Sequence, residues 1–185
     1  MLKLKYPLNV IRAGYKMLDS MGFTREEIRA IKDERRKIIE DKISTYIIAG
    51  AQLDFYRQQI EQERERMSSV GSPALSDMPK APFNPLASQD RLAACIDKIT
   101  QWEKKAGKLE YEINQMNKGL ELLDHTQKGI LKRFYGFDAT EVKTMSELEK
   151  ETGYCERQLY RYKEDAIEIL AFSIIGPVEQ TEHTS

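Results

Sequence analysis

The sequence predicts an all-α protein in which a long helical hairpin or coiled coil precedes a small bundle of short helices. Two observations support this prediction. Apolar residues recur at seven-residue intervals through two long stretches, which are separated by a segment rich in serine and proline. Toward the C-terminus, capping residues and glycines divide the chain into three shorter helical patterns. With 185 residues, 32% of them charged, the chain has room for one domain and an appendage with long solvated faces.

The first 23 residues predict a short leading helix, from about Asn9 to Met21, that ends at Gly22. The first 23 residues carry four basic side chains, Lys3, Lys5, Arg12 and Lys16, and before Thr24 a single acidic one, Asp19. Such a segment could act as an arm that contacts phosphates, but a solvated amphipathic helix is the favoured interpretation.

A capping box at Thr24 and Glu27 predicts the start of a first long helix. In this motif the threonine hydroxyl accepts from the Glu27 amide, and the glutamate accepts from the Thr24 amide. The helical pattern extends to about Met67 without an internal proline. Apolar residues recur along it at a seven-residue step: Ile39, Tyr46, Leu53, Ile60 and Met67.

Residues 68–87 contain four serines and four prolines, which predict a flexible connector and not a domain. Ser88 is then expected to cap a second long helix that reaches about Leu123. Two columns of apolar residues run along this helix: Leu92, Ile99, Ala106, Ile113 and Leu120 in one, and Cys95, Trp102, Leu109, Met116 and Leu123 in the other. Five consecutive heptads with both columns filled indicate a coiled coil.

Residues 24–123 are therefore predicted to form a helical hairpin around the connector. The alternative is a parallel dimer through the second long helix alone. The hairpin is favoured because each apolar stripe is long enough to cover the other. The two arrangements can coexist, since hairpins from two chains make a four-helix bundle. We therefore expect a homo-oligomer formed through the long helices.

Residues 124–171 predict a compact helical domain, and residues 172–185 a disordered tail. The first helix of this domain is expected over residues 127–135, and Gly136 stops it. Ile130 and Phe134 lie on its apolar face, which needs cover from the helices that follow.

Two further helices, joined by a tight turn, complete this domain. A capping box at Thr144 and Glu147 starts the first of them, and Gly153 supplies the left-handed residue that ends it. Cys155 then stands at the N-cap of the last helix, where serine or threonine is usual. The last helix is expected to run from Glu156 to about Ala171. This layout is that of a helix-turn-helix DNA reader.

The predicted recognition helix presents side chains suited to reading base edges. Arg157 and Arg161 lie one turn apart on the same face, with Gln158 and Tyr160 beside them. In the major groove arginine can pair bidentately with guanine, and glutamine with adenine. The alternative interpretation is an ordinary solvated face in a three-helix bundle.

Charge opposes a simple DNA-binding role, because residues 124–171 carry eight Lys or Arg against ten Asp or Glu. Affinity for DNA comes largely from the neutralisation of phosphates, so one copy of this domain is expected to bind weakly. Three features could raise the affinity for DNA: the basic N-terminal segment, dimerisation, or a partner such as RNA polymerase that holds the chain on DNA.

The chain shows no catalytic pattern, and we expect neither an enzyme nor a cofactor or metal site. The two cysteines and two histidines stand in no ligand spacing, and no phosphate loop or nucleophile motif is present. No apolar run approaches the ~20 residues of a membrane span. The N-terminus lacks the apolar stretch of a secretory signal. A cytoplasmic protein is therefore expected.

Two parts of the sequence resemble known transcription proteins. The stretch from Arg133 to Asp138 (RFYGFD), continued through Leu148 to residues 153–159 (GYCERQL), resembles region four of primary sigma factors, which reads a promoter element. Upstream, a long helix, a Ser/Pro connector containing the run 76–80 (SDMPK) and a second long helix are similar to phage-encoded transcriptional regulators of the ArpU/RinA type.

This resemblance implies an activator of phage late or integration genes that binds double-stranded promoter DNA and acts with host RNA polymerase in a bacterial cell. It implies a DNA-binding set of seven residues: Thr144, Glu156, Arg157, Gln158, Tyr160, Arg161 and Lys163. In this set Thr144 and Tyr160 are expected near phosphates. Glu156 stands where a basic residue is usual.

Two other classes of function remain open from the sequence. Small terminase subunits, which act in DNA packaging, also join a helix-turn-helix to oligomerising helices, and they form rings. The acidic balance of residues 124–171 is typical instead of a coiled-coil adaptor whose helix-turn-helix does not bind DNA.

Overall fold

The computed structural model describes residues 7–69, 85–137 and 141–177, and within these ranges the protein is all-α, as predicted. The described residues form six helices and no strand: α1 Pro7–Ser20, α2 Arg25–Ser69, α3 Pro85–Glu121, α4 His125–Tyr135, α5 Met145–Thr152 and α6 Glu156–Ile175. None of these helices is both long and apolar enough to cross a membrane.

The start of α2 agrees with the predicted capping box. The Thr24 amide donates to Glu27 Oε2 at 2.7 Å, and the Glu27 amide donates to Thr24 Oγ1 at 3.2 Å. These two bonds satisfy amides that have no partner within the helix. Arg25 is therefore the first helical residue.

The predicted start of the second long helix is wrong, because α3 begins at Pro85 and Ser88 lies inside it. Proline is well tolerated in the first turn, where its missing amide would have had no helical partner. The first long helix also continues to Ser69, past the predicted end at Met67. Of the predicted connector, residues 70–84 lie outside the described residues.

The predicted tail begins too early, because α6 continues to Ile175. Phe172 and Ile174, both assigned to the tail from the sequence, are partly buried against the apolar core. The helix ends at Gly176, whose amide donates to the Phe172 carbonyl at 3.2 Å. Residues 178–185 lie outside the described residues.

The chain divides into two compact units, one formed by residues 1–48 with 113–185 and the other by residues 49–112. The predicted domain boundary at residue 124 is therefore not a boundary between compact units. The reason is that the N-terminal helices and the end of α3 share a core with the last three helices.

The shared core of the first unit joins five of its helices. Leu18 of α1, Ile39 of α2, Leu131 of α4 and Leu170 of α6 are almost completely buried in it. Helix α3 contributes Met116 and Leu120 to the same cluster, and Leu123 joins it just after the helix ends. Burial of this apolar surface from several helices is the main favourable contribution to holding them together.

A second, smaller cluster lies between α4, α5 and α6. Its buried members are Ile130, Met145, Leu148 and Leu159, and Phe134, Tyr154 and Tyr162 pack against them. Leu159 is fully buried, so α6 contributes its inner face to this cluster near its N-terminus. The cluster therefore fixes the short turn between α5 and α6.

In the unit of residues 49–112, α2 and α3 contact each other through rings and ion pairs. The Tyr56 and Trp102 rings stack with centroids 5.5 Å apart. Three ion pairs accompany them: Arg57–Glu110 at 3.0 Å, Lys98–Glu63 at 3.4 Å and Arg64–Glu103 at 3.1 Å. Glu63, near the C-terminal end of α2, is buried and also forms an ion pair with Arg66 at 2.7 Å. The residues of both predicted α3 columns are buried or half-buried.

Candidate nucleic-acid interface

The predicted DNA-facing elements begin at Thr144, which caps α5. Its amide donates to Glu147 Oε2 at 2.7 Å, and the Glu147 amide donates to Thr144 Oγ1 at 3.3 Å. The bond from the Thr144 backbone lowers the pKa of Glu147. The predicted capping box is therefore confirmed. Thr144 is exposed, but its hydroxyl already takes part in the cap.

A three-residue turn joins α5 to α6. Gly153 has φ 73°, and its amide donates to the Glu149 carbonyl at 2.9 Å. Glycine suits this left-handed conformation because it has no Cβ to clash with the backbone. Cys155 then occupies the N-cap position of α6, as predicted. These contacts set the angle at which α6 leaves the turn.

Cys155 forms a weak version of a capping box with Gln158. Its amide donates to Gln158 Oε1 at 3.4 Å, and its thiol lies 3.5 Å from the same oxygen. Bidentate pairing with adenine would use both the oxygen and the nitrogen of the Gln158 amide. In this arrangement the nitrogen faces no competing partner among the described residues, whereas the oxygen belongs to the cap.

Five of the seven predicted DNA-binding residues share the exposed surface of the first two turns of α6: Glu156, Arg157, Gln158, Tyr160 and Arg161. Between them Leu159 is fully buried, which directs this surface to solvent. Within the part of the chain that the structure describes, neither Arg157 nor Arg161 forms an ion pair with a carboxylate. Both guanidinium groups are thus available to an anionic or hydrogen-bonding ligand.

Lys163 does not belong to this surface, and its predicted contact with DNA is wrong for this arrangement. Its side chain is only 7% exposed, and Nζ lies 3.7 Å from the centre of the Phe134 ring. Glu40 Oε1, on α2, is 3.9 Å from the same nitrogen. Burial lowers the pKa of Lys163, an effect that Glu40 opposes. A lysine enclosed in this way cannot reach a phosphate.

The position of Lys163 in the sequence already indicated that its side chain would be buried. It follows Leu159 by four residues and precedes Ala166 by three, so it continues the apolar stripe of α6. A lysine in such a stripe can bury its stem and place its charge against an anion or an aromatic ring. The acidic and aromatic partners come from α2 and α4, and nothing in the local sequence identifies them.

The part of α6 that follows Lys163 carries three carboxylates that contact the N-terminal helices. Asp165 pairs with Arg12 at 3.4 Å, and Glu168 accepts from the Tyr15 hydroxyl at 3.0 Å. Glu164 lies 4.0 Å from Arg36. The α1 face that includes Ile11, Tyr15 and Leu18 is buried. Helix α1 is therefore an amphipathic helix packed on α6, and these contacts do not support the phosphate-contacting arm.

Another carboxylate in this region, that of Glu151 in α5, forms ion pairs with two basic side chains. Arg133 lies 3.1 Å from one of its oxygens and Lys143 lies 2.7 Å from the other. The hydrogen bond from Lys143 is the main cause that lowers the pKa of Glu151. Two positive groups on one negative group leave a local excess of one positive charge beside the turn.

A cleft of about 380 Å³ adjoins this basic group. Residues of α4, α5 and the turn line it: His125, Thr126, Gly129, Ile130, Lys132, Arg133, Thr152 and Tyr154. Among the described residues, its walls carry basic side chains and no carboxylate. In the described ranges, no cluster of three or more His, Cys, Asp or Glu side chains could hold a metal ion.

No protein-family model matches this chain, and comparisons with curated proteins and with solved structures found no match. The resemblance to sigma region four and to phage regulators of the ArpU/RinA type therefore stays a prediction from the residues quoted above.

Proposed function

We propose that this protein is a sequence-specific DNA-binding transcriptional regulator. The observation that supports it best is the outer surface of α6. Arg157 and Arg161 lie one turn apart there, exposed and without a carboxylate partner among the described residues. Unpaired arginines at this spacing suit hydrogen bonding to guanine edges in a major groove.

In the proposed complex, α5 and α6 act as a helix-turn-helix, and the first two turns of α6 enter the major groove. Arg157 and Arg161 read bases, and Gln158 offers its amide nitrogen to an acceptor. Tyr160 and Thr144 lie where phosphates would pass. Glu156 accepts from a cytosine amino group or disfavours other bases at that position.

Residues 24–123 are proposed to form a helical hairpin that oligomerises or docks a partner. Support comes from the unit of residues 49–112, where partners of successively later α2 residues occur earlier in α3, as Arg57–Glu110 and Arg64–Glu103 do. That order is expected of an antiparallel pair. A second copy would double the phosphate contacts of an acidic chain.

The biological setting is proposed from the resemblance alone. It is activation of phage late or integration genes from promoter DNA, together with host RNA polymerase in the bacterial cytoplasm. Recruitment by the polymerase would also compensate for weak binding by a single copy.

The proposal is tested by selecting duplexes from a random library with the intact protein and then measuring affinity for the enriched site. Arg157→Ala and Arg161→Ala should each weaken that affinity by about 5-fold to 150-fold, which corresponds to the ~1–3 kcal/mol of a bidentate base contact. Helicity measured by circular dichroism should not change. Arg25→Ala is the matched control, because Arg25 is also an exposed arginine on a helix.

Two results would count against transcriptional regulation, and a third would count against α6 as the DNA-reading surface. If the intact protein binds no duplex even at low salt, where phosphate attraction is strongest, the coiled-coil adaptor is the better interpretation. If mass photometry shows a ring and the enriched site lies at a packaging sequence, the terminase-like alternative is supported. If both arginine variants bind as the wild type does, another surface binds DNA.

A further inference from the structure

One carboxylate oxygen of α2 connects three helices. Glu40 Oε1 accepts from the Tyr135 hydroxyl of α4 at 3.0 Å and from Arg36 Nε of its own helix at 3.2 Å. Lys163 Nζ of α6 lies 3.9 Å from the same oxygen. The Glu40 side chain is 35% exposed and that of Lys163 is 7% exposed, so the contact lies at the edge of the core.

Aromatic rings enclose the Lys163 ammonium on its other side. Nζ lies 3.7 Å from the centre of the Phe134 ring and 5.1 Å from that of Tyr135. A buried ammonium is costly unless anions and ring faces replace its water. Glu40 and the two rings provide that replacement at a single position on α6. The ion pair adds a contact that depends on charge to the apolar packing around it.

The position of Lys163 on its helix determines what the contact restrains. At about 100° per residue, Lys163 lies about 200° around α6 from Arg161, on the opposite side of the helix. A fixed point there limits rotation of α6 about its axis. The direction in which Arg157 and Arg161 project follows from that rotation.

We propose that Glu40 and Lys163 are positioning residues that orient the DNA-reading surface of α6 from helix α2. This inference rests on the proposed function. Glu40 lies far before residues 124–171, the domain predicted from the sequence. The orientation of the reading surface thus depends on an element outside residues 124–171.

The first test uses the sign of an affinity change in the full-length protein. Glu40→Gln keeps the shape of the side chain and an acceptor for Tyr135 but removes the charge that faces Lys163. Glu34→Gln is the matched control, because Glu34 is an exposed acid on the same helix. Removing a negative charge should leave duplex affinity unchanged or raise it slightly, as expected for Glu34→Gln. Glu40→Gln should instead lower affinity by about 2-fold to 30-fold.

The second test separates positioning from direct contact. Lys163→Met keeps the apolar stem against Phe134 and removes the ammonium. It should lower duplex affinity to a similar extent without changing the dependence of log affinity on log salt. A lysine that touched a phosphate would reduce that slope by about one unit when removed. The double variant should bind no more weakly than either single variant, because both disturb the same contact.

Two binding results would overturn the inference: an affinity of Glu40→Gln that is unchanged or higher, as expected for Glu34→Gln, or a lower salt slope for Lys163→Met. If the intact protein binds no duplex, the proposed function fails, and amide chemical shifts without DNA decide the inference separately. Glu40→Gln should then shift the amides of residues 157–161, and Glu34→Gln should not. Shifts confined to α2 and α4 would show that Glu40 does not orient α6.

Discussion

The two halves of α6, divided unequally at Lys163, carry charge in opposite ways. In the N-terminal half, residues 156–162, Arg157 and Arg161 are exposed and form no ion pair among the described residues. In the C-terminal half, residues 163–175, Asp165 and Glu168 contact Arg12 and Tyr15 of α1. The first half leaves its charges available to a ligand, and the second uses them within the fold.

This difference shows why net charge misrepresents the predicted DNA-binding domain. The excess of two acids over residues 124–171 counts carboxylates that other helices already contact. Asp165 and Glu164 lie near the arginines of α1 and α2, which that count leaves out. A surface for DNA depends on which charges remain without partners, since only those can exchange with phosphate.

The largest expected effect concerns the anchoring of the C-terminal half. Leu170 is fully buried, and a Cβ placed on Gly119 of α3 would lie 2.9 Å from its Cδ2. Leu170→Ala should reduce the free energy of unfolding by about 2–5 kcal/mol because it leaves a cavity between the two helices. Chemical denaturation measures this change.

A second substitution tests that packing from the other side. Gly119→Ala should fail to give the gain of about 1 kcal/mol usual for glycine to alanine in a helix, because the new methyl meets Leu170. Combined with Leu170→Ala, the same methyl should recover part of the lost stability. Simple additivity of the two changes would mean that α3 and α6 do not pack closely here.

The next effect compares the loss of one tyrosine hydroxyl that contacts the C-terminal half with the loss of another on the N-terminal half. Tyr15→Phe removes the hydroxyl that donates to Glu168 on the C-terminal half and should cost about 1.5–3 kcal/mol of unfolding free energy, as expected for a hydrogen bond to a charged group. Tyr160→Phe, on the exposed N-terminal half, should change it by less than about 0.5 kcal/mol. Equal effects from thermal or chemical unfolding would remove the distinction between the halves.

A smaller effect is expected where the N-terminal half begins. Cys155→Ser replaces a weak cap by a hydroxyl that can accept from the backbone amide of Gln158. This change should add about 0.5–1 kcal/mol to the free energy of unfolding. Duplex affinity should stay the same, because the arginines are untouched. A loss of affinity at equal stability would show that the thiol itself contributes to recognition.

The smallest effect is a pH dependence at the start of α5. The pKa of Glu147 is lowered in the folded protein by its bonds with Thr144. Its ionised form therefore favours folding above the ordinary pKa of 4.5, and this contribution is lost as pH falls through the lowered pKa. Glu147→Gln removes the titrating carboxyl and should therefore weaken the fall in stability below about pH 5 relative to the wild type. Parallel stability curves for the two proteins would contradict this linkage.

Local features of the fold were predictable from the sequence where one short segment contains both partners of an interaction. The capping boxes at Thr24 and Thr144 each need residues three apart, and both form. Gly136 and Gly153 end their helices with positive φ, a conformation that depends on the glycine itself and not on a distant residue. The exposed surface with Arg157 and Arg161 follows from helical spacing around the buried Leu159.

Predictions failed where a distant segment decides the outcome. One failure was local: Ser88 has the right chemistry for a cap, but the helix extends back to Pro85. Phe172 and Ile174 were assigned to the tail from the sequence, yet they pack against the core formed with other helices. In the sequence Lys163 resembles a DNA-contacting residue, but in the structure Glu40 and Phe134 lie beside its ammonium group.

By itself, the sequence determined the helical class, the capped turns and the outward surface of α6, because helical periodicity and capping act over a few residues. Only the tertiary structure decided that α1, part of α2 and the end of α3 complete the core of the last three helices. It also decided which charges of α6 are used internally. Those outcomes depend on contacts between residues far apart in the chain, and local patterns carry no information about which distant partner fills each site.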